Sequence, residues 1–176
     1  IVISGVGLWT PENTITNEEL VDSYNAWATQ FNLDNQAQIE AEEIAAKPLS
    51  SAAFIEKASG IKSRYVYCKE GVLDINRMRP KLTPRSDDEL SHQAEMAVAA
   101  AEKAMQAANK TAADIDMVIV ACAYTERSYP AIAIEVQAKL GIQGFGFDML
   151  VACSAATFGL QRAHDSVAAG SAKCVL

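Results

Sequence analysis

The chain is poor in the residues that build metal centres. It has two histidines, His92 and His164, and four cysteines, at positions 68, 122, 153 and 174, with no Cys-x-x-Cys pair among them. A zinc site needs clustered nitrogen and sulfur ligands at short spacing, so no metal is expected; separately, no cofactor is expected either. The scattered cysteines do not form the disulfide framework usual in short secreted chains, and a reducing cytoplasm is the expected location. An excess of basic residues is also lacking. The net charge is −7, which argues against nucleic acid as the main partner and gives no reason to expect an anionic membrane surface. Long apolar runs are missing too. The longest, near Val118–Ala123, falls far short of the roughly 20 residues a bilayer span requires. No signal peptide is visible. The chain opens at Ile1 without a Met and closes inside the apolar run Cys174-Val175-Leu176. Both ends are expected to be cut, the second leaving an apolar sheet face and edge for a missing remainder to cover.

Half of the 176 residues are apolar, enough for a sizeable core in one domain or in one half of a pseudo-symmetric pair. Ile1-Val2-Ile3, followed by Gly5 and Gly7, reads as a buried strand and its exit. The third glycine of a dinucleotide fingerprint is absent, and Pro11 interrupts where its helix would open, so a turn is the better reading. Pro11 and Asn13 mark a loop. Thr16 before Glu18-Glu19-Leu20 predicts a helix start, running from Asn17 to about Phe31. Further helices are predicted over about 35–46, ended by Pro48, and over 51–59, stopped by Gly60. A strand follows at 62–67, and residues 70–91 are polar enough to read as a long surface loop. From residue 91 the order becomes helix (91–109), a capped turn at 112–114, strand (116–123), helix (131–140), strand (145–151), helix (154–169) and the start of a strand (172–176). That alternation predicts an α/β fold with a mostly parallel sheet.

The segment Phe147-Asp148-Met149-Leu150-Val151-Ala152-Cys153-Ser154-Ala155-Ala156-Thr157-Phe158-Gly159 carries the chemistry. A strand runs directly into a helix and Cys153 falls at the junction, where free backbone N–H groups and the helix dipole favour a thiolate. The thiolate is the reactive form, so the placement suits nucleophilic catalysis. A buried structural cysteine is the competing reading from position alone. Cys122 ends an apolar strand and reads as core packing. Cys68 and Cys174 receive no role.

This stretch resembles the nucleophile elbow of the thiolase superfamily, most closely its β-ketoacyl-acyl carrier protein synthase III branch. Ile1–Pro11 with Thr16-Asn17-Glu18-Glu19-Leu20 is similar to the family's first strand, loop and helix. Phe54–Arg64, centred on Ser59-Gly60-Ile61, resembles its TGI-type segment, and Ala113–Ala121 its DID-type strand. Tyr129-Pro130-Ala131 with Gln137–Gly141 resembles its FPS…Q…LGI stretch. The resemblance spans nearly the whole chain. It implies the N-terminal half of the pseudo-duplicated α/β/α thiolase-like architecture, with the C-terminal half absent, a helical insertion at about 24–50 and a long loop at about 70–90.

The same resemblance implies an acyltransferase of fatty-acid biosynthesis that performs a decarboxylating Claisen condensation. Acyl-CoA is the substrate, acyl carrier protein the partner, and the assembly a homodimer. Cys153 is the acylated nucleophile, and its own N–H is part of the oxyanion hole. Tyr129 stands where the family holds a Phe that reaches the partner subunit's acyl pocket; a half-buried loop aromatic is the alternative. Phe54 and Ala58 replace the Trp and Arg that grip the CoA adenine in housekeeping members, so a ring remains but the cation is gone, and a primer longer than acetyl is expected. The family's catalytic His and Asn lie in the other half; neither His92 nor His164 matches them, and both read as structural or surface residues. The 176-residue chain by itself is therefore expected to be inactive in condensation. Arg77, Arg79, Lys81 and Arg85 form a basic loop that could meet CoA phosphates or an acidic carrier, with a solvated loop as the plainer reading. Two alternatives stay open: a thiolase-fold enzyme joining two acyl-CoA molecules, and a non-catalytic assembly partner.

Overall fold

A computed structural model describes residues 1–176. The chain divides into two compact units, Thr10–Pro84 and a second made of Ile1–Trp9 with Arg85–Leu176.

In the first unit, Thr16 caps helix α1 (Asn17–Asp34) through a complete capping box with Glu19. Each residue satisfies a backbone N–H that the first helical turn would otherwise leave unpaired. The sequence places this start correctly. It does not reveal strand β1 (Asn13–Thr16), which pairs antiparallel with β2 (Ser63–Val66), Asn13 opposite Val66 and Thr16 opposite Ser63. Asn-Thr-Ile-Thr has one apolar residue, Ile15, which is fully buried; the strand exists because β2 is there to pair with it. The helix predicted over 35–46 is only one turn and a half, α2 (Gln36–Glu40), and the chain then runs irregularly to helix α3 (Ala52–Ser59). Ser51 caps α3, and Gly60 ends it in the left-handed conformation, at φ +72°. Residues 67–91 form the expected long loop.

Two asparagines on α1 organise the segment between α2 and α3. Asn32 exchanges two hydrogen bonds with the backbone of Lys47, at 2.8 and 2.9 Å. Asn25, two helical turns earlier, does the same with Ser50, at 2.8 and 3.0 Å. The side-chain amides thus take the backbone partners that a neighbouring strand would supply, and residues 47–50 lie pinned along the helix.

In the second unit, β3 (Met117–Cys122) and β4 (Phe145–Leu150) are parallel neighbours, with Met117 opposite Phe145 and Cys122 opposite Leu150. Val175 forms a parallel bridge to Met117, and backbone hydrogen bonds of 2.9–3.0 Å join Asp116, Met117 and Ile119 to Cys174 and Leu176, so the last predicted strand begins beside β3. Helices α4 (His92–Ala107) and α5 (Ile132–Leu140) cover one face of β3. Their Ala94, Val98, Ile132, Ala133 and Val136 close a core with Val118, while Val120 and Cys122 pack against it. Helix α6 (Ala155–Ala168) covers the opposite face. Gly159 lies where an added Cβ would touch Ala121 and Ile119, so the helix sits close on the strand. The alternation of β3 side chains thus serves two helical layers, as a buried parallel strand requires.

The strand expected at Ile1–Ile3 is not formed. These residues are exposed, and the segment after them lies on α4. A Cβ on Gly5 would sit 2.4 Å from the Ala104 carbonyl oxygen, and one on Gly7 2.0 Å from that of Ala100. Only glycine allows that approach. The glycines thus serve packing on a helix, and the β-branched run before them has no strand partner.

Candidate active site

Cys153 sits in the middle of a single turn of 3-10 helix, Ala152–Ser154, between the end of β4 and the start of α6. Its side chain is exposed, which removes the buried structural reading. The turn is sharp because Ala152, just before the cysteine, adopts φ +43°. For a residue with a Cβ the left-handed region costs about 1–2 kcal/mol, and strain of this kind collects at functional turns. No sequence signal marks it, since a glycine would have been the expected occupant.

Asp148 fixes the geometry on the approach to this turn. From β4 its carboxylate accepts the N–H groups of Ile132 and Ala133, at 2.8 Å each, at the N-terminus of α5. The helix dipole favours a negative charge there. The strand that delivers Cys153 is thereby tied to the helix that follows Tyr129-Pro130-Ala131. Asp148 also acts on Cys122, whose thiol is pushed up first by burial and then by the Asp148 charge. Cys122 is half-buried at the edge of the core, consistent with packing.

Tyr129 is 87% exposed, so the half-buried alternative does not hold. The loop that carries it is nevertheless firmly braced. Arg127 donates to the carbonyls of Ser86 and Glu89, at 2.7 and 2.8 Å, and pairs with Glu135 at 3.3 Å. Glu135 is itself buried and receives both the N–H and the hydroxyl of the fully buried Ser91, at 2.8 Å each. Glu126 takes the N–H of His92 at 2.8 Å and contacts its Nδ1 at 2.7 Å. Burial pushes Glu126 up, but its hydrogen bonds with the His92 ring and backbone outweigh this and hold the carboxyl below its ordinary value. His92 is therefore a buried structural residue, while His164 is exposed beside Asp165. Sequence reasoning did not single out Glu126, Arg127 or Glu135. Charged residues near a loop are usually solvated, and only the fold reveals that these three converge on the N-terminus of α4.

Phe54 lies on α3 in the other unit and is 66% exposed. In the basic loop Arg77, Arg79 and Lys81 are exposed and Arg85 is half-buried, which fits the solvated reading. Arg77 donates to the carbonyls of Arg79 and Pro80, Lys81 pairs with Glu70, and Arg85 bonds Leu90 and Glu95. No group of three or more His, Cys, Asp or Glu side chains is placed to hold a metal ion. No helix is long and apolar enough to cross a membrane.

A parallel β3-α5-β4 unit that ends in an exposed cysteine at a strand-to-helix elbow fits half of a thiolase-like fold. The comparisons agree with that class and narrow it. No protein-family model matches the chain. It is 56% identical over 156 residues to the β-ketodecanoyl-[acyl-carrier-protein] synthase of Pseudomonas aeruginosa, covering 89% of this chain and 45% of that protein. It is 31% identical over 179 residues to the β-ketoacyl-[acyl-carrier-protein] synthase III of Granulibacter bethesdensis, covering 99% of this chain and 41% of that one. Among solved structures, the β-ketoacyl-[acyl carrier protein] synthase III of Thermus thermophilus matches with a TM-score of 0.63 and 25% identity, over 99% of this chain and 41% of its own. The chain thus spans less than half the length of these relatives, and it belongs to the β-ketoacyl-acyl carrier protein synthase III family.

Proposed function

We propose that the protein carries out a decarboxylating Claisen condensation and that Cys153 is its acyl-accepting nucleophile. The Cys153 sulfur attacks the carbonyl of an acyl-CoA, the thioester bond to CoA breaks, and free CoA leaves with the proton. Malonyl-acyl carrier protein then loses CO2. The electron pair left on its α-carbon attacks the Cys153 thioester, the C–S bond breaks, and a β-ketoacyl carrier protein leaves the regenerated thiolate. Sulfur serves both halves, as nucleophile and then as leaving group. The N–H of Cys153 contributes to the oxyanion hole. The reaction needs no cofactor beyond the CoA thioester itself.

The observation that carries this reading is the exposed Cys153 on a strained turn between β4 and α6. The relative with 56% identity, whose name specifies a β-ketodecanoyl product, supports a reading of the primer length. Ten carbons less the two retained from malonate leave an eight-carbon primer. The replacement of the family's adenine-gripping Trp and Arg by Phe54 and Ala58 fits a primer that relies less on its nucleotide. Phe54 keeps a stacking face for CoA. Tyr129 reaches the acyl pocket of a partner subunit in a homodimer, which a braced loop with an exposed ring supports.

The test is intact-mass analysis of the natural full-length protein mixed with octanoyl-CoA. One octanoyl adduct is expected on Cys153 and none in Cys153→Ala. An adduct of equal yield in the variant would remove the assignment.

A further inference from the structure

The ring of Tyr129 is 87% exposed, so packing within its own chain does little to decide where the ring stands. Its backbone decides that. The loop of residues 123–131 is tied down near both ends. At its start, the Gln93 carboxamide on α4 donates to the Tyr124 carbonyl at 2.9 Å and accepts the Glu126 N–H at 2.6 Å. At its end, Asp148 holds the N–H groups of Ile132 and Ala133 on α5.

Arg127 stands between these ties, two residues before the ring. One nitrogen of its guanidinium donates to the Glu89 carbonyl and meets Glu135, while another donates to the Ser86 carbonyl. A planar fork can serve three acceptors in fixed directions, which a flexible ammonium cannot. The Arg127 side chain is 15% exposed and that of Glu135 6%, so protein groups and not water set the direction of the fork.

A purely stabilising role does not account for this arrangement. Both Glu135 oxygens already hold a donor from Ser91, at 2.8 Å each. They also lie at the N-terminus of α4, where the helix dipole favours negative charge. Among the Arg127 contacts the one to Glu135 is the longest, at 3.3 Å against 2.7 and 2.8 Å to the two carbonyls. The guanidinium thus acts mainly on backbone, and it fixes residues 86–89 against the loop of Tyr129. Four residues, Ser128–Ala131, then span the distance from Arg127 to the first residue of α5.

We propose that Arg127 is a positioning residue for acyl-chain selection: it holds the Tyr129 backbone so that the ring projects to a fixed depth. This rests on the reading of Tyr129 at a partner subunit's acyl pocket. Removing Tyr129 empties the pocket end and moves the preference to longer chains. Removing Arg127 leaves the ring present but poorly placed, so discrimination between chain lengths flattens. Small displacements of a positioned group are enough for a large kinetic effect.

The experiment measures kcat/KM of the natural full-length protein with octanoyl-CoA and decanoyl-CoA. A shaped apolar pocket discriminates on the order of tenfold per methylene, so Arg127→Met is expected to lower the octanoyl-to-decanoyl ratio at least about threefold. In a Tyr129→Ala background the same substitution is expected to leave the ratio where Tyr129→Ala alone puts it, because the two residues act as one unit. Arg127→Lys restores a charge beside Glu135 without the fork; it is expected to recover the melting temperature and still show a lowered ratio, and it decides the matter if Arg127→Met does not fold. Asp116→Asn, which loosens the same unit at the residues after α6, is expected to keep the wild-type ratio. A wild-type ratio in both Arg127 variants, a further change on adding Arg127→Met to Tyr129→Ala, or an equal change in Asp116→Asn would each overturn the proposal. If Tyr129→Ala shifts the preference while both Arg127 variants keep it, this inference alone falls. If Tyr129→Ala is silent, the reading of Tyr129 falls and takes the inference with it.

Discussion

The carboxylate of Asp148, five residues before Cys153, accepts the N–H of Ile132 at 2.8 Å, and that of Ala133 at the same distance. The bond joins the strand that leads to Cys153 to the first turn of the helix behind Tyr129. Replacing Asp148 by Ala leaves two helix N–H groups unpaired and removes a charge that complements the dipole. The expected loss is about 1–3 kcal/mol of stability. Asp148→Asn retains one good acceptor and should lose about half as much. Urea unfolding of the three proteins measures both values; equal stability of wild type and Asp148→Ala would contradict the capping role.

The four cysteines should not react alike. Cys153 is exposed, whereas Cys122 is half-buried and its thiol is pushed up by burial and by Asp148. Since only the thiolate attacks, iodoacetamide at neutral pH should label Cys153 at least about tenfold faster than Cys122. Raising the pH should speed Cys122 only well above the ordinary thiol range. Removing the Asp148 charge in Asp148→Asn should bring that onset down. Peptide mass mapping over time supplies the rates.

Ala152 gives a backbone prediction with opposite signs for two small changes. At φ +43° glycine is relieved of strain, whereas a β-branched side chain is strained further. Ala152→Gly should leave stability unchanged or raise it by up to about 1 kcal/mol. Ala152→Val should lower it by about 1–2 kcal/mol. Denaturation of the pair decides, and a less stable glycine variant would show that the left-handed conformation is not the strained element.

Two kinds of feature separate in how well the sequence exposes them. The capped start of α1 at Thr16, the left-handed stops at Gly60 and Gly141, and the alternation from α4 through α6 are all local. Each follows from a cap, a missing Cβ or a periodic pattern within a few residues. Strand β1, the Asn25 and Asn32 clamps, the Arg127–Glu135–Ser91 cluster and the twist at Ala152 are not local. Asn13–Thr16 becomes a strand only opposite Ser63–Val66. Arg127 and Ser91 are brought together by Glu135, which lies 44 residues beyond Ser91. Ile1–Ile3 failed in the other direction, because strand propensity needs a partner to act on. In the candidate site, the position of Cys153 could be read directly, while the groups that shape its surroundings could not.

Acid should loosen the tie between β3 and the residues after α6. Asp116 accepts the N–H groups of Lys173 and Cys174, at 2.6 and 2.9 Å, and these bonds hold its carboxyl below the ordinary 3.8. A carboxyl depressed in the folded state contributes stability above its unfolded value and loses it as the pH falls through the folded one. The difference in unfolding free energy between wild type and Asp116→Asn should therefore be constant from neutral pH to about pH 5 and shrink below 3.8. A difference that grew on acidification would reverse the assignment.

Tyr129 should matter for selectivity and not for folding. Its ring is 87% exposed, so Tyr129→Ala should change stability by less than about 0.5 kcal/mol. In the natural full-length protein, the preferred acyl-CoA should lengthen by at least one two-carbon step. An unaltered acyl preference would sink the assignment to a partner's pocket.

The amide clamps on α1 separate scaffold from contact surface. Asn25 and Asn32 grip only the main chain of Ser50 and Lys47, so the side chains between them carry no share of that fastening. Leu49 could be exchanged for a larger or smaller residue without releasing the segment. Natural variation or laboratory selection confined to position 49 and its facing partners would then reshape that surface in small increments, leaving the order and spacing of the helices unchanged.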